Sequence, residues 1–331
     1  MISAEQIGLH SQKKILTPSP MERTEVVYKK GRGLVFVKRD DRIHPLVSGN
    51  KWRKLKYHPC FSDTISGGSQ ILTMGGGYSN LVLALASLCH SRNYMLKVLT
   101  THRGPDTYLM KWCKRLGTTF QTLSRTEMRK LRSGELNPNE WVDTPGKFHW
   151  IPEGGGGEWS RGGLAEMVGE IQAELSRQKI QLLMGAGTGI STVFTAMFLT
   201  SDSHLWAFPA IRSRSFNEYL LKEIGAVRPG EKNFNLLVSD EDRGMGWVSE
   251  SLIEFLYDYY VQSGVLLDPF YNGKALYYGL KRDGILDGPP IVLVHSGGTQ
   301  AWLGLREKYP KNEKVLALSR AAGEQLQSNS G

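Results

Sequence analysis

The sequence is poor in cysteine, with three among 331 residues, at positions 60, 89 and 113. Three widely separated cysteines provide neither a disulfide framework nor a paired zinc site, so we expect reduced thiols. Long apolar runs are also missing, because no stretch approaches the roughly 18 apolar residues of a membrane-spanning helix. Residues 1–6 contain no apolar core of a secretory signal. These absences predict a soluble, cytoplasmic protein without a membrane partner.

The charge distribution argues against a nucleic-acid partner. The formal net charge is +9, but the basic residues are spread along the chain and form no cluster. No spacing of His, Cys, Asp and Glu matches a metal-binding motif, so no metal site is expected. Within an otherwise ordinary composition, the 37 glycines are the one excess.

Many of these glycines follow short apolar runs, and each of three runs leads through a glycine turn into a helix-like segment. Short buried strands that alternate with helices predict an α/β fold with mostly parallel sheet. The turns would then lie at the carboxyl ends of strands, where open α/β sheets bind ligands. The three units are residues 70–74 with turn 75–80, residues 180–184 with turn 185–189, and residues 291–295 with turn 296–299.

The turn at 185–189 has the composition of an anion site. Its glycines allow backbone N–H groups to approach an anion, and the following helix N-terminus adds partial positive charge. The spacing is Gly-x-Gly-x-Gly, which matches neither the dinucleotide fingerprint nor the P-loop. A phosphate monoester remains a candidate ligand, and a tight turn without a ligand is the alternative.

Lys51 is the candidate nucleophile of the chain. It follows Ser48, Gly49 and Asn50, a segment that predicts a turn delivering a lysine at a helix start. The positive end of the helix dipole disfavours a protonated amine there, and a lowered pKa would allow Lys51 to form a Schiff base. The alternative is a solvated basic helix face, since residues 53, 54 and 56 are also basic.

Together these segments resemble a known family. Residues 44–55 resemble the lysine segment of the 1-aminocyclopropane-1-carboxylate deaminase and D-cysteine desulfhydrase family, which consists of pyridoxal-phosphate enzymes of fold type II. The similarity continues in order from about residue 38 to residue 304. It includes Gly-Gly-x-x-Ser-Asn at 75–80, Pro-x-Gly-Gly at 152–155, Asp-Pro-x-Tyr-x-Gly-Lys at 268–274 and His-Ser-Gly-Gly at 295–298.

The resemblance implies a two-domain α/β fold with parallel sheets and pyridoxal 5'-phosphate in the cleft between the domains. Residues 1–64 together with 165–331 would form the larger, cofactor-binding domain, and residues 65–164 the smaller one. Relatives are usually homodimers, so a homodimer is expected.

The resemblance also implies roles for single residues. Lys51 would hold the cofactor aldehyde and move the substrate Cα proton, with Ser79 as the alternative proton carrier or as a contact of the substrate carboxylate. Asn80 would hydrogen-bond the phenolic oxygen, and Tyr271 would orient or protonate the substrate. Ser296 would face the pyridine nitrogen and leave the ring largely unprotonated, as a weaker electron sink. The phosphate would be held by Gly185, Ala186, Gly187, Thr188 and Gly189.

The implied activity is that of a pyridoxal-phosphate-dependent lyase or deaminase acting on a small amino acid. The preferred reaction is α,β-elimination, as in D-cysteine desulfhydrase, which releases ammonia, a 2-oxo acid and, from cysteine, hydrogen sulfide. Three departures from the family pattern weaken cyclopropane ring opening: Leu81, the pair Gly156-Gly157, and Val294. Ring opening and a catalytically weak cofactor-binding protein remain alternatives. A nucleotide-using α/β enzyme is the alternative from a different class. It would be distinguished by the absence of a chromophore bound to a lysine.

Overall fold

The structure, a computed structural model, describes residues 13–28, 31–61, 68–142 and 148–328. Residues 1–6, on which the signal-peptide argument depends, lie outside the described residues. Within the described residues, no helix combines the length and the apolar character needed to cross a bilayer.

In the part of the chain that the structure describes, ten strands form two sheets. The first sheet has the order β1-β2-β10-β7-β8-β9 and the second the order β5-β4-β3-β6. Among the described strands, β1 and β2 pair antiparallel, as a hairpin, and the other pairs are parallel. The strands are β1 (Met21–Tyr28), β2 (Gly31–Lys38), β3 (Gln70–Met74), β4 (Met95–Thr100), β5 (Thr119–Thr122), β6 (Phe148–Ile151), β7 (Gln181–Ala186), β8 (His204–Pro209), β9 (Phe234–Leu236) and β10 (Ile291–Val294).

Helices connect the parallel strands, as parallel pairing requires. Several begin at serine or threonine caps, and α8 ends at Gly264 in the left-handed conformation. The helices are α1 (Asn50–Leu55), α2 (Asn80–Arg92), α3 (Tyr108–Arg115), α4 (Arg125–Ser133), α5 (Ser160–Glu174), α6 (Ile190–Phe198), α7 (Arg214–Val227), α8 (Glu250–Ser263), α9 (Asn272–Gly279), α10 (Ala301–Lys308) and α11 (Glu313–Ser328). Short 3-10 segments occur at Asp40–Arg42, Pro59–Phe61, Pro138–Trp141, Glu153–Gly155 and Ile285–Asp287.

Both sheets contain a point where the strand order reverses. In the first sheet, β7, β8 and β9 proceed to one side, and β10 lies on the other side of β7. In the second, β3, β4 and β5 proceed to one side, and β6 lies on the other side of β3. Connections leave in opposite directions at such points, so a crevice opens at the carboxyl ends of the two strands. Topology therefore predicts ligand sites after β7 and β10 and after β3 and β6.

Each sheet has its own buried apolar residues. Val35, Leu183 and Leu293 belong to a cluster that covers one face of the first sheet, and Leu182 and Val292 lie in a cluster on its other face. In the second sheet, neighbouring residues Ile71 and Leu72 likewise belong to different clusters. Strands buried on both faces explain the continuous apolar runs of the sequence.

A buried ionic network fastens α1 to α5. Arg53 is fully buried and pairs with Asp40 at 2.8 Å and with Glu170 at 2.7 Å. Glu170 also pairs with Lys38 at 2.6 Å. We call Lys38, Asp40, Arg53 and Glu170 the paired cluster. Close packing of the two helices requires a glycine, because a Cβ on Gly163 would lie 1.9 Å from the Arg53 carbonyl oxygen.

Candidate active site

A tight turn delivers Lys51 at the start of α1. Gly49 precedes the helix with φ of +63°, and a Cβ there would lie 1.9 Å from the carbonyl oxygen of Ser296. Only glycine satisfies both the left-handed backbone and this close approach. The lysine turn therefore packs directly on the turn that follows β10.

Lys51 lies in a site that disfavours its charge. Its Nζ donates to Asn50 Oδ1 at 3.0 Å, and Asn50 Nδ2 in turn donates to Ser191 Oγ at 3.4 Å. Ser191 lies in the first turn of α6, so Asn50 connects the lysine to the helix that follows β7. Burial lowers the pKa of Lys51 to about 8. About a tenth of the amines are then unprotonated at neutral pH, which a nucleophilic lysine requires.

Lys54 adds a second amine. It is 2% exposed and contacts Lys51, and its pKa is lowered well below the ordinary value by burial and by the positive charge of Lys51. We call Lys51 and Lys54 the lysine pair. Among the residues that the structure describes, no carboxylate is paired with either amine. The interpretation of this segment as a solvated basic face is wrong, because Arg53 and Lys54 are both buried.

The turn after β3 presents Ser79 and Asn80. Ser79 is the N-cap of α2, and its Oγ accepts from the backbone N–H of Val82 at 3.4 Å. Asn80 Oδ1 accepts from Gln300 Nε2 at 2.7 Å, so the amide nitrogen of Asn80 is the atom that can donate to a ligand. A Cβ on Gly298 would lie 3.0 Å from Asn80 Nδ2. The turn after β3 therefore packs against the turn after β10.

The turn at Gly185–Gly189 forms a backbone cradle at the N-terminus of α6. Gly189 caps the helix with φ of +90°, and Thr188 packs against Gly154 in the segment after β6. Behind the turn, Thr192 Oγ1 is buried without a hydrogen-bond partner among the described residues. Gly185 and Ala186 are the last residues of β7. The backbone of the turn that follows, the N-terminus of α6 and the nearby lysine pair suit an anionic group.

Tyr271 closes the cradle on one side. A Cβ on Gly187 would lie 3.2 Å from Tyr271 Cε1 and 3.8 Å from its hydroxyl. Burial, with the neighbouring Asp268 and Glu153 carboxylates, raises the pKa of Tyr271 to about 12. Tyr271 is therefore a protonated hydrogen-bond donor at neutral pH and not a base.

Ser296 belongs to a polar network after β10. Its Oγ donates to Asn272 Oδ1 at 3.1 Å, and Asn272 Nδ2 donates to Asp268 Oδ2 and to the Gly297 carbonyl. Asp268 also accepts from the backbone N–H groups of residues 270, 271 and 272. His295 is fully buried and donates to the Leu266 carbonyl at 2.8 Å. This network fixes the turn that faces Gly49.

The three departures from the family pattern lie in apolar packing. Leu81 is 1% exposed, and a Cβ on Gly155 would lie 2.6 Å from its Cδ1. Gly156 packs on Ile190 and Gly157 on the Trp159 ring, so both glycines make room for large side chains. Val294 is 1% exposed within β10. None of these positions supplies a polar group to the crevice.

The three glycine turns and the lysine segment predicted from the sequence therefore lie close together, at the carboxyl ends of β3, β7 and β10. The sequence analysis missed Lys54, Gln300 and Asn272. In the sequence, Lys54 appears only as part of a basic run. Asn272 occupies a variable position of the motif at 268–274, so nothing marked it as functional. Gln300 carried no local signal, because its contact with Asn80 joins residues 220 positions apart.

The residues present fit pyridoxal 5'-phosphate. Its phosphate suits the glycine cradle and the uncompensated lysine pair, and its aldehyde suits an amine with a lowered pKa. Groups of three or more His, Cys, Asp and Glu side chains that could hold a metal ion are absent from the described ranges. Cys60, Cys89 and Cys113 are buried free thiols, and burial raises the pKa of each, which makes them poor nucleophiles.

Known proteins resemble the chain over most of its length. No protein-family model matches it. A mitochondrial protein of Arabidopsis thaliana, named bifunctional D-cysteine desulfhydrase/1-aminocyclopropane-1-carboxylate deaminase, is 26% identical over 327 residues, which cover 90% of this chain and 80% of that protein.

Solved structures support the fold. The crystal structure of an ACC deaminase homologue has a TM-score of 0.70 at 20% identity and covers 96% of this chain and 100% of its own. A hydrogen sulfide-producing enzyme from Fusobacterium nucleatum has a TM-score of 0.59 at 16% identity, with coverage of 90% and 97%. The predicted two-sheet α/β fold of type II is thereby confirmed. Over most of its length the chain is therefore similar to proteins named 1-aminocyclopropane-1-carboxylate deaminase and D-cysteine desulfhydrase.

Proposed function

We propose that the protein is a pyridoxal-phosphate-dependent lyase that acts on a small amino acid by α,β-elimination, with D-cysteine as the first substrate to test. The observation that carries the proposal is the lysine pair, one partly buried and one fully buried amine without a carboxylate partner among the described residues. A buried cation normally has a counter-charge. A bound phosphate would provide it, next to the amine that attaches the aldehyde.

The backbone of Gly185, Ala186, Gly187, Thr188 and Gly189 would hold the phosphate, with the N-terminus of α6 oriented toward it. Lys54 would supply the counter-charge from the other side. Because a protonated Lys54 is stabilised by the phosphate, loading would raise its pKa from the lowered value of the free protein.

Lys51 would attach to the cofactor aldehyde and, once the substrate amine has replaced it, carry the Cα proton. The cofactor supplies an electron sink for the electrons left on Cα. An amine with a pKa of about 8 suits both roles, because it exists in both protonation states near neutral pH. Ser79 is the alternative carrier, and its capping role leaves its O–H free to donate.

The remaining residues would orient the reactants. Asn80, whose oxygen is occupied by Gln300, would donate from its amide to the phenolic oxygen. The N-terminus of α2 beside Ser79 would hold the substrate carboxylate. Tyr271, protonated at neutral pH, would donate to the substrate or its leaving group. Ser296 would face the ring nitrogen.

The apolar lining favours elimination over cyclopropane ring opening. Leu81 and Val294 are each 1% exposed and supply no polar group, whereas the family resemblance implies that ring opening would use a second tyrosine near the position of Val294. For D-cysteine the balanced reaction converts the amino acid and water into pyruvate, ammonia and hydrogen sulfide. We further propose a homodimer of the cytoplasm, with residues 65–164 as the smaller domain.

Absorbance of the purified protein, with added pyridoxal 5'-phosphate and before and after borohydride, tests the proposal. We expect a visible band that borohydride removes and that is lost in Lys51→Ala. Lys56→Ala is the matched control, because Lys56 lies five residues further on and pairs with Glu166 in a half-exposed position. That variant should keep the band.

Addition of D- and L-amino acids, with assays for pyruvate and sulfide, then identifies the substrate. Absence of any band in the wild-type protein, or a band that survives in Lys51→Ala, would refute the cofactor assignment. A band without turnover of any amino acid would favour a catalytically inactive cofactor-binding protein.

A further inference from the structure

A cavity of about 600 Å³ opens at the carboxyl ends of β3, β4 and β5. These three strands are neighbours in the second sheet, and β6 lies on the other side of β3. The cavity is therefore distinct from the crevice between β3 and β6. Open α/β sheets bind ligands along this edge, and the volume is typical of a small-molecule site. The proposed function leaves this cavity unused.

The described residues that line the cavity include two arginines and no carboxylate. Arg103 follows β4 and Arg125 begins α4, and both side chains are exposed. Within the described ranges, neither guanidinium is part of a salt bridge. Guanidinium groups donate paired hydrogen bonds that match the oxygens of a carboxylate or a phosphate. The lining therefore favours an anionic ligand.

Glu127 is the acid that lies within reach of the charge of Arg103. Its carboxylate accepts the Ser124 backbone N–H at 2.7 Å and completes a capping box at the start of α4. These hydrogen bonds with Ser124 lower the pKa of Glu127, and the charge of Arg103 also lowers it. One carboxylate that is already bound to the helix start offsets only part of the charge of two arginines.

Hydrogen bonds fix the walls of the cavity before any ligand binds. The Gly76 carbonyl accepts from the Ser79 backbone N–H at 3.1 Å. The Gly77 carbonyl accepts from Thr107 Oγ1, and His102 Nε2 donates to a carbonyl of its own loop at 2.8 Å. A preformed wall lowers the entropic cost of binding. Because the turn that contains both glycines ends at Ser79, the cavity shares a wall with the candidate active site.

We propose that this cavity binds the carboxylate or phosphate group of a small ligand, which Arg103 and Arg125 recognise. The ligand is either a separate small anion or the acidic side chain of an amino-acid substrate, and the second source rests on the proposed function. Both sources present the same chemistry to the arginines. The site is separate from the glycine cradle, which follows β7 in the other sheet. Binding here does not require the cofactor.

Calorimetric titration of the purified protein with malonate, at low and at high salt, tests the proposal. We expect saturable binding that weakens as the salt concentration rises. The dissociation constant should rise at least about tenfold in the double variant Arg103→Gln/Arg125→Gln, because two charge-assisted contacts are lost.

Lys111→Gln/Arg129→Gln is the matched control, because it removes two exposed cations that do not line the cavity. It should bind malonate as the wild type does. All four substituted side chains are exposed, so both double variants should fold. Absence of saturable binding, binding that Arg103→Gln/Arg125→Gln leaves unchanged, or an equal loss in both double variants would overturn the proposal.

A second titration distinguishes the two sources of the anionic group. Malonate is titrated in the presence and absence of D-aspartate, into protein with and without pyridoxal 5'-phosphate. Displacement of malonate that requires the cofactor would identify the side chain of the substrate. Displacement that also occurs without the cofactor, or no displacement, would identify a separate ligand. A protein that takes up no cofactor but binds malonate through both arginines would refute the proposed function and support this site.

Discussion

Arg53 and Lys54 are neighbours in one six-residue helix, and both are buried, but only Arg53 has carboxylate partners among the described residues. Arg53 has two carboxylate partners at 2.7 and 2.8 Å and belongs to the paired cluster. Lys54 contacts another amine, Lys51, and has no carboxylate partner among the described residues. The charge of Arg53 is neutralised by carboxylates of the protein, whereas a charge on Lys54 has no counter-charge among the described residues.

The pKa values follow the same division. The carboxylates raise the pKa of Arg53 despite its burial, and the paired bases lower the pKa of Glu170 despite burial. In the lysine pair, burial is the largest influence and lowers both pKa values. The paired cluster thus contributes to folding, whereas the lysine pair costs stability that a bound anion can restore.

Removal of a charge from the paired cluster should have the largest effect. Arg53→Met leaves Asp40 buried without its partner, and we expect the free energy of unfolding to fall by about 3 to 5 kcal/mol. Urea denaturation of the cofactor-free protein measures this loss. Arg161→Met is the control, because Arg161 pairs with Glu158 on the surface. Equal stabilities of the two variants would contradict the structural role of Arg53.

The local parts of this arrangement were predictable from the sequence. The unit around 70–80 was predicted with its strand boundaries, and those around 181–190 and 291–301 to within about two residues, because strand periodicity and glycine turns are local signals. The turn before Lys51 was predicted for the same reason. The two-domain arrangement came from the family resemblance, and the domain boundaries stay a prediction.

The differing environments of Arg53 and Lys54 were not predictable. Both appear in the sequence as members of one basic run, and only contacts across 13 and 117 positions distinguish Arg53. The Gln300 contact with Asn80 and the Asn272 contact with Ser296 are also long-range. Sequence periodicity contains no information about such partners.

Neutralisation of Glu170 should have the second largest effect. Glu170 accepts from two Arg53 nitrogens at 2.7 Å and pairs with Lys38. We expect Glu170→Gln to lower the free energy of unfolding by about 2 kcal/mol, because hydrogen bonds to charged groups are lost. Glu166→Gln removes a half-exposed pair with Lys56 and should cost less than about 1 kcal/mol.

The two glutamate variants should also differ in acid. The pKa of Glu170 is lowered in the folded protein, so its contribution is present above the ordinary pKa and is lost as the pH falls through the folded value. The stability gap between wild type and Glu170→Gln should therefore close in acid. A gap that is independent of pH would contradict the ionic role of Glu170.

Lys54→Met tests the lysine pair, which lacks a carboxylate partner among the described residues. Without a bound anion, the variant should be no less stable than the wild type, because it removes an uncompensated buried amine. The dissociation constant for pyridoxal 5'-phosphate should rise about tenfold, through loss of one charge-assisted contact. Fluorescence titration measures the affinity and urea denaturation the stability. A destabilised variant with unchanged affinity would assign Lys54 to folding instead.

The smallest effect concerns the pH dependence of the lysine pair itself. The pKa of Lys51 is about 8 in the folded protein against 10.5 ordinarily, so between these values the unfolded chain binds more protons and stability rises with pH. We expect wild type to gain on the order of 1 kcal/mol relative to Lys51→Met across this range in cofactor-free protein, since partial exposure of Lys51 reduces the full effect. Lys56→Met should show no such gain, because the pKa of Lys56 is raised: burial lowers it, but the contacts with Glu166 and Tyr57 together outweigh burial. Urea denaturation at several pH values measures both differences, and identical pH dependence in the two variants would show that burial does not suppress the charge of Lys51.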